Sequence, residues 1–592
     1  MSSGSYKQLL DSLMHCNEQL LELAKNQGQH TSQAMMQKSL EDVSKAMNEG
    51  MKHPENLIEH QVNWWQSQLQ LFQNAMLKQA GQEIDPVIQP PKGDRRFRDP
   101  QWEDNPWYDY IKQAYLLTAK NLLETVDQFE DLDEESKERL RFFTRQAVNA
   151  LAPSNFIGSN PELLQLTMES GGDNLVRGLK QMAKDMMRSA GTLNVSMTDE
   201  SVFTLGEDLA STPGKVVHQS RLYELLQYSP STETVAKRPI LIVPPFVNKY
   251  YILDLRPENS LVKYLVDQGH TVLMISWVNP DLSHADVDFE DFVVDGVIDA
   301  LLAVEKVTGE AEVNAVGYCI GGTALTTALA YMAAKRMKSR VKSATLFTTI
   351  LDFAQPGELG VFINDAVVTA MEQQNAEQGV MDGRQLAVTF SLLRENNLYW
   401  NYYVDGYLKG KSPVAFDLLH WNCDNTNVAG KTHSTMLRRF YLNNELIQPG
   451  AFTVRGTKID LGKITTPTYF VSTVDDHIAL WKGNYEGMRQ LGGKKTFVLG
   501  ESGHIAGIIN PPGGKYGHYI ASGADELNAD EWLAQAKHNE GSWWPAWNQW
   551  LGSLTKAKPV PARELNEALP DAPGEYVQVR LNSTTAKDEE AI

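Results

Sequence analysis

Cys319 stands in the pattern Gly317-Tyr-Cys-Ile-Gly321, after the run Glu312-Val-Asn-Ala-Val316 and ahead of Gly322, Thr323, Ala324, Leu325 and Ala328. A thiol at the point where a strand turns sharply into a helix forms a nucleophile elbow. Glycines two residues to either side let strand and helix close up, and the helix N-terminus favours the thiolate, the form that attacks. A free cysteine is more often a small buried hydrophobe than a nucleophile, so its partners decide the reading. Thr466-Pro-Thr-Tyr-Phe-Val-Ser-Thr-Val474 reads as a strand running into Asp475, Asp476 and His477, and Lys495-Thr-Phe-Val-Leu-Gly500 as another followed by His504. Nucleophile, acid and histidine in that chain order, each after a strand, are the parts of a triad for acyl transfer through a covalent thioester. Asp475 and Asp476 are both candidates for the acid. His477 lies too close to them in sequence to act as the base, although it can line the site.

Such side chains need a parallel sheet with crossover helices, and from about residue 200 the periodicity changes to strand–helix alternation. Strands are expected at Arg221–Tyr228, Pro239–Val243, His270–Trp277 and from Val341 towards Phe353, with an amphipathic helix over Phe289–Val307. This is an α/β-hydrolase arrangement. In it, the loop Pro244-Pro-Phe-Val-Asn-Lys249 follows a strand where one oxyanion-hole amide belongs, which points to the backbone N–H of Val247 or a close neighbour acting with that of Ile320. Asp254 reads as a structural anchor. About 110 residues separate Phe353 from Thr466, too many for a loop, so a helical lid is expected over about 354–465. Arg394, in this insertion, is a candidate contact for a substrate phosphate, although a lone arginine is more often a salt-bridge former.

Ahead of the sheet, residues 1–200 read as a helical domain. Apolar residues recur at helical spacing at Leu9, Leu10, Leu13, Leu20, Leu21 and Leu23, then at Leu57, Trp64, Trp65, Leu69, Leu71, Phe72 and Met76. These faces fit ordinary helix packing or docking on a partner. Pro86–Pro106 reads as an extended connector, followed by helices over Tyr108–Val126, Ser136–Ala150 and Pro161–Ser189. The catalytic domain then occupies 201–592.

With 54 basic against 74 acidic residues, the net charge of −20 disfavours nucleic acid and anionic lipid as general partners. Cys16, Cys319 and Cys423 are too few and too scattered for a disulfide framework or a zinc site, which implies a reducing compartment and no metal. The start Met1–Leu10 lacks a basic region ahead of an apolar core, so no signal peptide is expected. No apolar run approaches the roughly 20 residues of a membrane span.

The strings Gly317-Tyr-Cys-Ile-Gly-Gly322, Pro244-Pro-Phe-Val-Asn-Lys-Tyr-Tyr-Ile-Leu-Asp-Leu255, Asp475-Asp-His-Ile478 and Gly503-His-Ile-Ala-Gly-Ile-Ile-Asn510 together resemble the polyhydroxyalkanoate synthases. Asp94-Arg-Arg-Phe-Arg-Asp-Pro-Gln-Trp102, Leu392–Tyr403, Trp421–Asn427 and Gly541-Ser-Trp-Trp-Pro545 extend the likeness over most of the chain. Length and motifs look most like the class I type, which needs no second synthase subunit and prefers short-chain monomers. The resemblance implies polymerisation of (R)-3-hydroxyacyl units, mainly 3-hydroxybutyryl, from coenzyme A thioesters into polyester. It places Asp476, directly before the His-Ile pair, as the acid, and gives Asp and His a further role in activating the 3-hydroxyl for chain growth. It also implies no cofactor beyond coenzyme A as leaving group, a homodimer, and a cytoplasmic location on polyester granules with their associated proteins. A hydrolase using the same triad, or a catalytically silent granule scaffold, is the alternative.

Overall fold

The computed structural model describes residues 29–52, 54–188, 194–524 and 526–581. Leu9, Leu10, Leu13, Cys16, Leu20, Leu21 and Leu23, and the end of the expected helix at Ser189, lie outside the described residues. No helix among them is long and apolar enough to cross a membrane. The chain divides into two compact units, Met1–Asp199 with Val388–Val414, and Glu200–Ala387 with Ala415–Ile592.

The first unit is helical: α1 (Gln29–Lys52), α2 (Pro54–Gln79), α3 (Pro106–Asp127), α4 (Glu134–Ala150), α5 (Pro161–Glu169) and α6 (Asp173–Arg188). Their starts are written in the sequence. Asn105, Asp133 and Asn160 accept from the backbone N–H of Trp107, Ser136 and Leu163, with Pro106 and Pro161 placed where a helix needs no donor. The single helix expected over Pro161–Ser189 is two, because Gly171 and Gly172 take φ of 60° and 89° and end the first. Directional polar contacts hold this unit together. Arg139 Nε lies 2.6 Å from Asp42 Oδ2 with both side chains buried, and Arg96 donates to Asp94, Tyr115 and Asn149. Glu395 accepts from Gln146 and Asn149 and pairs with Arg145, while Tyr407 donates to Asp185 at 2.6 Å. These bonds draw the 388–414 stretch into the helical unit. Gly178 permits the closest crossing, since a Cβ there would stand 1.8 Å from the Tyr407 carbonyl oxygen. On α2, Ile58, Val62, Trp65, Leu69, Phe72 and Met76 are exposed at alternating steps of four and three residues.

The second unit is built on a ten-stranded sheet. Its strands are β1 (Gly214–Gln219), β2 (Tyr223–Tyr228), β3 (Ile240–Val243), β4 (Val272–Trp277), β5 (Val313–Tyr318), β6 (Val341–Phe347), β7 (Thr468–Thr473), β8 (Lys495–Gly500), β9 (His518–Ile520) and β10 (Lys537–Asn539). The order is β1-β2-β4-β3-β5-β6-β7-β8-β9-β10. Strands from β4 through β8 in that order pair in parallel, and both margins are antiparallel. Continuous apolar runs such as Ile240-Leu-Ile-Val243 are buried throughout, as a sheet covered on both faces requires. The Phe289–Val307 helix is present, with a wide π-helical turn over Phe292–Ile298. Gly541–Pro545 leads into a helix at Trp544–Ser553 whose Trp544 and Trp547, with the preceding Trp543, are fully buried, Trp547 donating to Thr345 Oγ1 at 2.8 Å. Asp254 is buried and accepts from the Thr212 and Ser260 hydroxyls.

Candidate active site

Strand β5 delivers Cys319 with φ 51° and ψ −126°, and α7 (Ile320–Ala334) starts at the next residue. That φ is foreign to most side chains, and the turn survives because the surroundings enforce it. The Cys319 N–H donates to the Phe347 carbonyl at 2.9 Å. The flanking glycines are required by space: a Cβ on Gly317 would meet Gly322 Cα at 2.4 Å, and one on Gly321 would meet the Pro244 carbonyl oxygen at 2.2 Å. The second contact also shows that the loop after β3 presses against the elbow. Ile320, first in the helix, has an N–H with no intrahelical acceptor.

His504 is placed by the loop after β8 and Asp476 by the loop after β7. His504 Nδ1 lies 2.7 Å from Asp476 Oδ2, and the Cys319 sulfur is near enough to the same imidazole to favour its charged form. Asp476 is buried, its other oxygen accepting from the N–H groups of Ile478 and Ala479 at 2.9 Å each. Its neighbour Asp475 is exposed, and His477 is half-buried. Tyr318 packs its ring beside the imidazole at 5.8 Å and donates to the His504 carbonyl. Burial is the largest influence on His504 and pulls its pKa down. The charge and hydrogen bond of Asp476, with the sulfur of Cys319, more than offset it and raise the imidazole to about 10. The ring therefore carries a proton through neutral pH. This arrangement can present a nucleophilic sulfur next to a proton donor, as acyl transfer demands.

Val247 is half-buried and packs against the same apolar cluster as Cys319. Arg394 is half-buried on the 388–414 stretch of the helical unit. Sequence reasoning did not single out Tyr318, next to the nucleophile, or Tyr441, which packs on the same apolar cluster as Cys319. Tyr318 precedes Cys319 in the strand, and Tyr441 comes from the insertion, its hydroxyl pushed up by burial and then by the Cys319 sulfur. Tyr318 could have been found from its register beside Cys319; Tyr441 carries no local signal. Among the described residues no group of three His, Cys, Asp or Glu side chains could hold a metal ion.

Residues 238–511 match a model of the alpha/beta hydrolase fold, and residues 93–265 match the N-terminus of poly-beta-hydroxybutyrate polymerase. The chain is 44% identical to the poly(3-hydroxyalkanoate) polymerase of Methylorubrum extorquens, over 90% of this chain and 88% of that one. It belongs to the poly(3-hydroxyalkanoate) polymerase family. Two further polymerases of this family agree: the polymerase subunit of Rhizobium meliloti at 42% identity, over 91% of this chain and 88% of that one, and that of Cupriavidus necator at 44%, over 83% and 84%. As a member of the polymerase family, the chain is an acyltransferase-type enzyme carried on an α/β-hydrolase fold.

Proposed function

We propose that this enzyme polymerises (R)-3-hydroxyacyl units, mainly 3-hydroxybutyryl, from coenzyme A thioesters by way of an acyl-thioester on Cys319. The observation that carries the reading is the chain of contacts from Asp476 through His504 to Cys319 at a strained elbow. His504 takes the proton of Cys319, and the sulfur attacks the thioester carbonyl. The tetrahedral oxyanion is met by the amides of Ile320 and Val247, and coenzyme A departs as its thiol with the proton from His504. Asp476 keeps the imidazole oriented and charged for this step. In chain growth, His504 takes the proton of the incoming 3-hydroxyl as the ester forms and Cys319 is released. A thiol suits this sequence because thiol–thioester exchange is nearly balanced in energy, whereas the acyl-thioester stays activated towards a hydroxyl. His477 lines the site, and Arg394 contacts the phosphates of coenzyme A. No cofactor takes part. The enzyme works as a homodimer on cytoplasmic polyester granules.

The test is purified enzyme with 3-hydroxybutyryl-coenzyme A, following thiol release and insoluble product together. Release matched by polymer supports the reading. Release matched by soluble 3-hydroxybutyrate instead overturns it in favour of hydrolysis.

A further inference from the structure

The loop Pro244–Lys249 is fastened at both ends by unlike means. On the sheet side, the Pro244 carbonyl accepts from Trp277 Nε1 at 2.8 Å and the Phe246 ring stacks on Phe292 at 4.1 Å. On the far side, three attachments come from one short segment of the insertion. Asn248 N–H donates to Thr426 Oγ1 at 2.9 Å, the Lys249 carbonyl accepts from Trp421 Nε1 at 2.7 Å, and Lys249 Nζ lies 2.7 Å from Asp424 Oδ1. Between the two anchorages lies a single residue, Val247. Asn248 has φ of 68°, a left-handed conformation that asparagine tolerates better than most residues.

Lys249 and Asp424 are almost wholly buried; Lys249 also donates to the Val577 carbonyl, and Asp424 also accepts from the Tyr251 hydroxyl and has Arg580 Nε at 4.0 Å. Burial lowers the ammonium pKa, and Asp424 works against that. A buried pair of this kind is seldom a net source of stability, since apolar residues of similar volume often do as well. Neither group is needed for proton transfer at Cys319. What the pair supplies is a fixed position.

We infer that the Lys249–Asp424 pair positions the oxyanion loop, setting the Val247 amide from the insertion segment 421–426 as well as from the sheet. The inference rests on the reading of Cys319 as nucleophile and Val247 as oxyanion donor. The pair then matters to thioester acylation, in which an oxyanion forms. It does not matter to alkylation of the same sulfur by iodoacetamide, in which none does.

The experiment measures both reactions in the full-length protein. In Lys249→Met/Asp424→Asn, which strands no buried charge, single-turnover acylation by 3-hydroxybutyryl-coenzyme A should fall about ten- to a hundredfold while alkylation of Cys319 stays close to wild type. Thr426→Val should lower acylation less, and Thr426→Ser should restore it. If the double variant does not fold, the Thr426 pair carries the test alone. Acylation unchanged, or acylation and alkylation falling in parallel, overturns the inference. Cys319→Ala is the separate control: acylation surviving there would remove the underlying triad reading, whatever Lys249 does.

Discussion

Every side chain of β3 is apolar and shut away from water, whereas α4 buries Ser136, Lys137, Arg139, Gln146 and Asn149 beside its few apolar residues. The sheet unit is held by a force without direction, and its precision is added locally by glycines, by the strained turn at Cys319 and by the bonds around His504. In the helical unit, small apolar clusters are joined by directional polar contacts, and removing a main partner of a buried charge such as Asp42 or Glu395 leaves that charge short of bonds. Chemistry and stability should therefore separate in the first case and coincide with particular polar pairs in the second.

The largest expected effect tests that separation at the nucleophile. Cys319→Ala should abolish thiol release and polymer, and Cys319→Ser should leave a trace, with thermal unfolding almost unchanged in both. An alanine variant with full turnover would end the assignment. Next come the two acids. Asp476→Asn should lower turnover by about a hundredfold or more, and Asp475→Asn, exposed and outside the His504 contact, far less. Equal losses would mean that the hydrogen bond to His504 is not what matters.

The helical unit should respond in stability instead. Arg139→Met leaves the buried Asp42 with only Ser136 and the more distant Lys38 and should destabilise that unit by about 2 kcal/mol, much of it recovered in Arg139→Met/Asp42→Leu, as read by denaturant titration. Alkylation of Cys319 should be unaffected in the folded single variant; its loss would break the comparison. The smallest effect is one of pH. His504 is raised to about 10, so its pairing with Asp476 contributes stability that is complete below the ordinary histidine pKa and is lost as pH rises through about 10. The stability gap between wild type and Asp476→Asn should accordingly narrow from pH 6 to pH 10.5, and a gap that widens would contradict the pairing.

Much of the sheet was legible because its strands are continuous apolar runs and its catalytic residues sit at their ends. Gly317 and Gly321 announced the elbow by type and spacing. Between Asp475 and Asp476 the residues alone could not choose: both follow the same strand, and the burial that separates them comes from the turn through Ile478 and Ala479. The short margin strands β9 and β10, of three residues each, carry too little pattern to be seen. The length of the 354–465 insertion marked it as a helical lid but said nothing about which core 392–403 joins; that was decided by Glu395, Tyr407 and Gly178 meeting partners far away in sequence. The Asp42–Arg139 pair spans 97 positions for the same reason. A truncation removing residues 1–199 would therefore also strip 388–414 of the helices it folds with.

The backbone at Cys319 opposes endurance to turnover at one residue. Its φ of 51° is natural only to glycine, and holding a side chain there costs about 1–3 kcal/mol. Cys319→Gly would be inert yet harder to melt than the active protein. Selection for heat resistance alone would thus push against the nucleophile, and a durable catalyst on this scaffold has to find its margin elsewhere, in loops, caps and surface charge remote from the elbow.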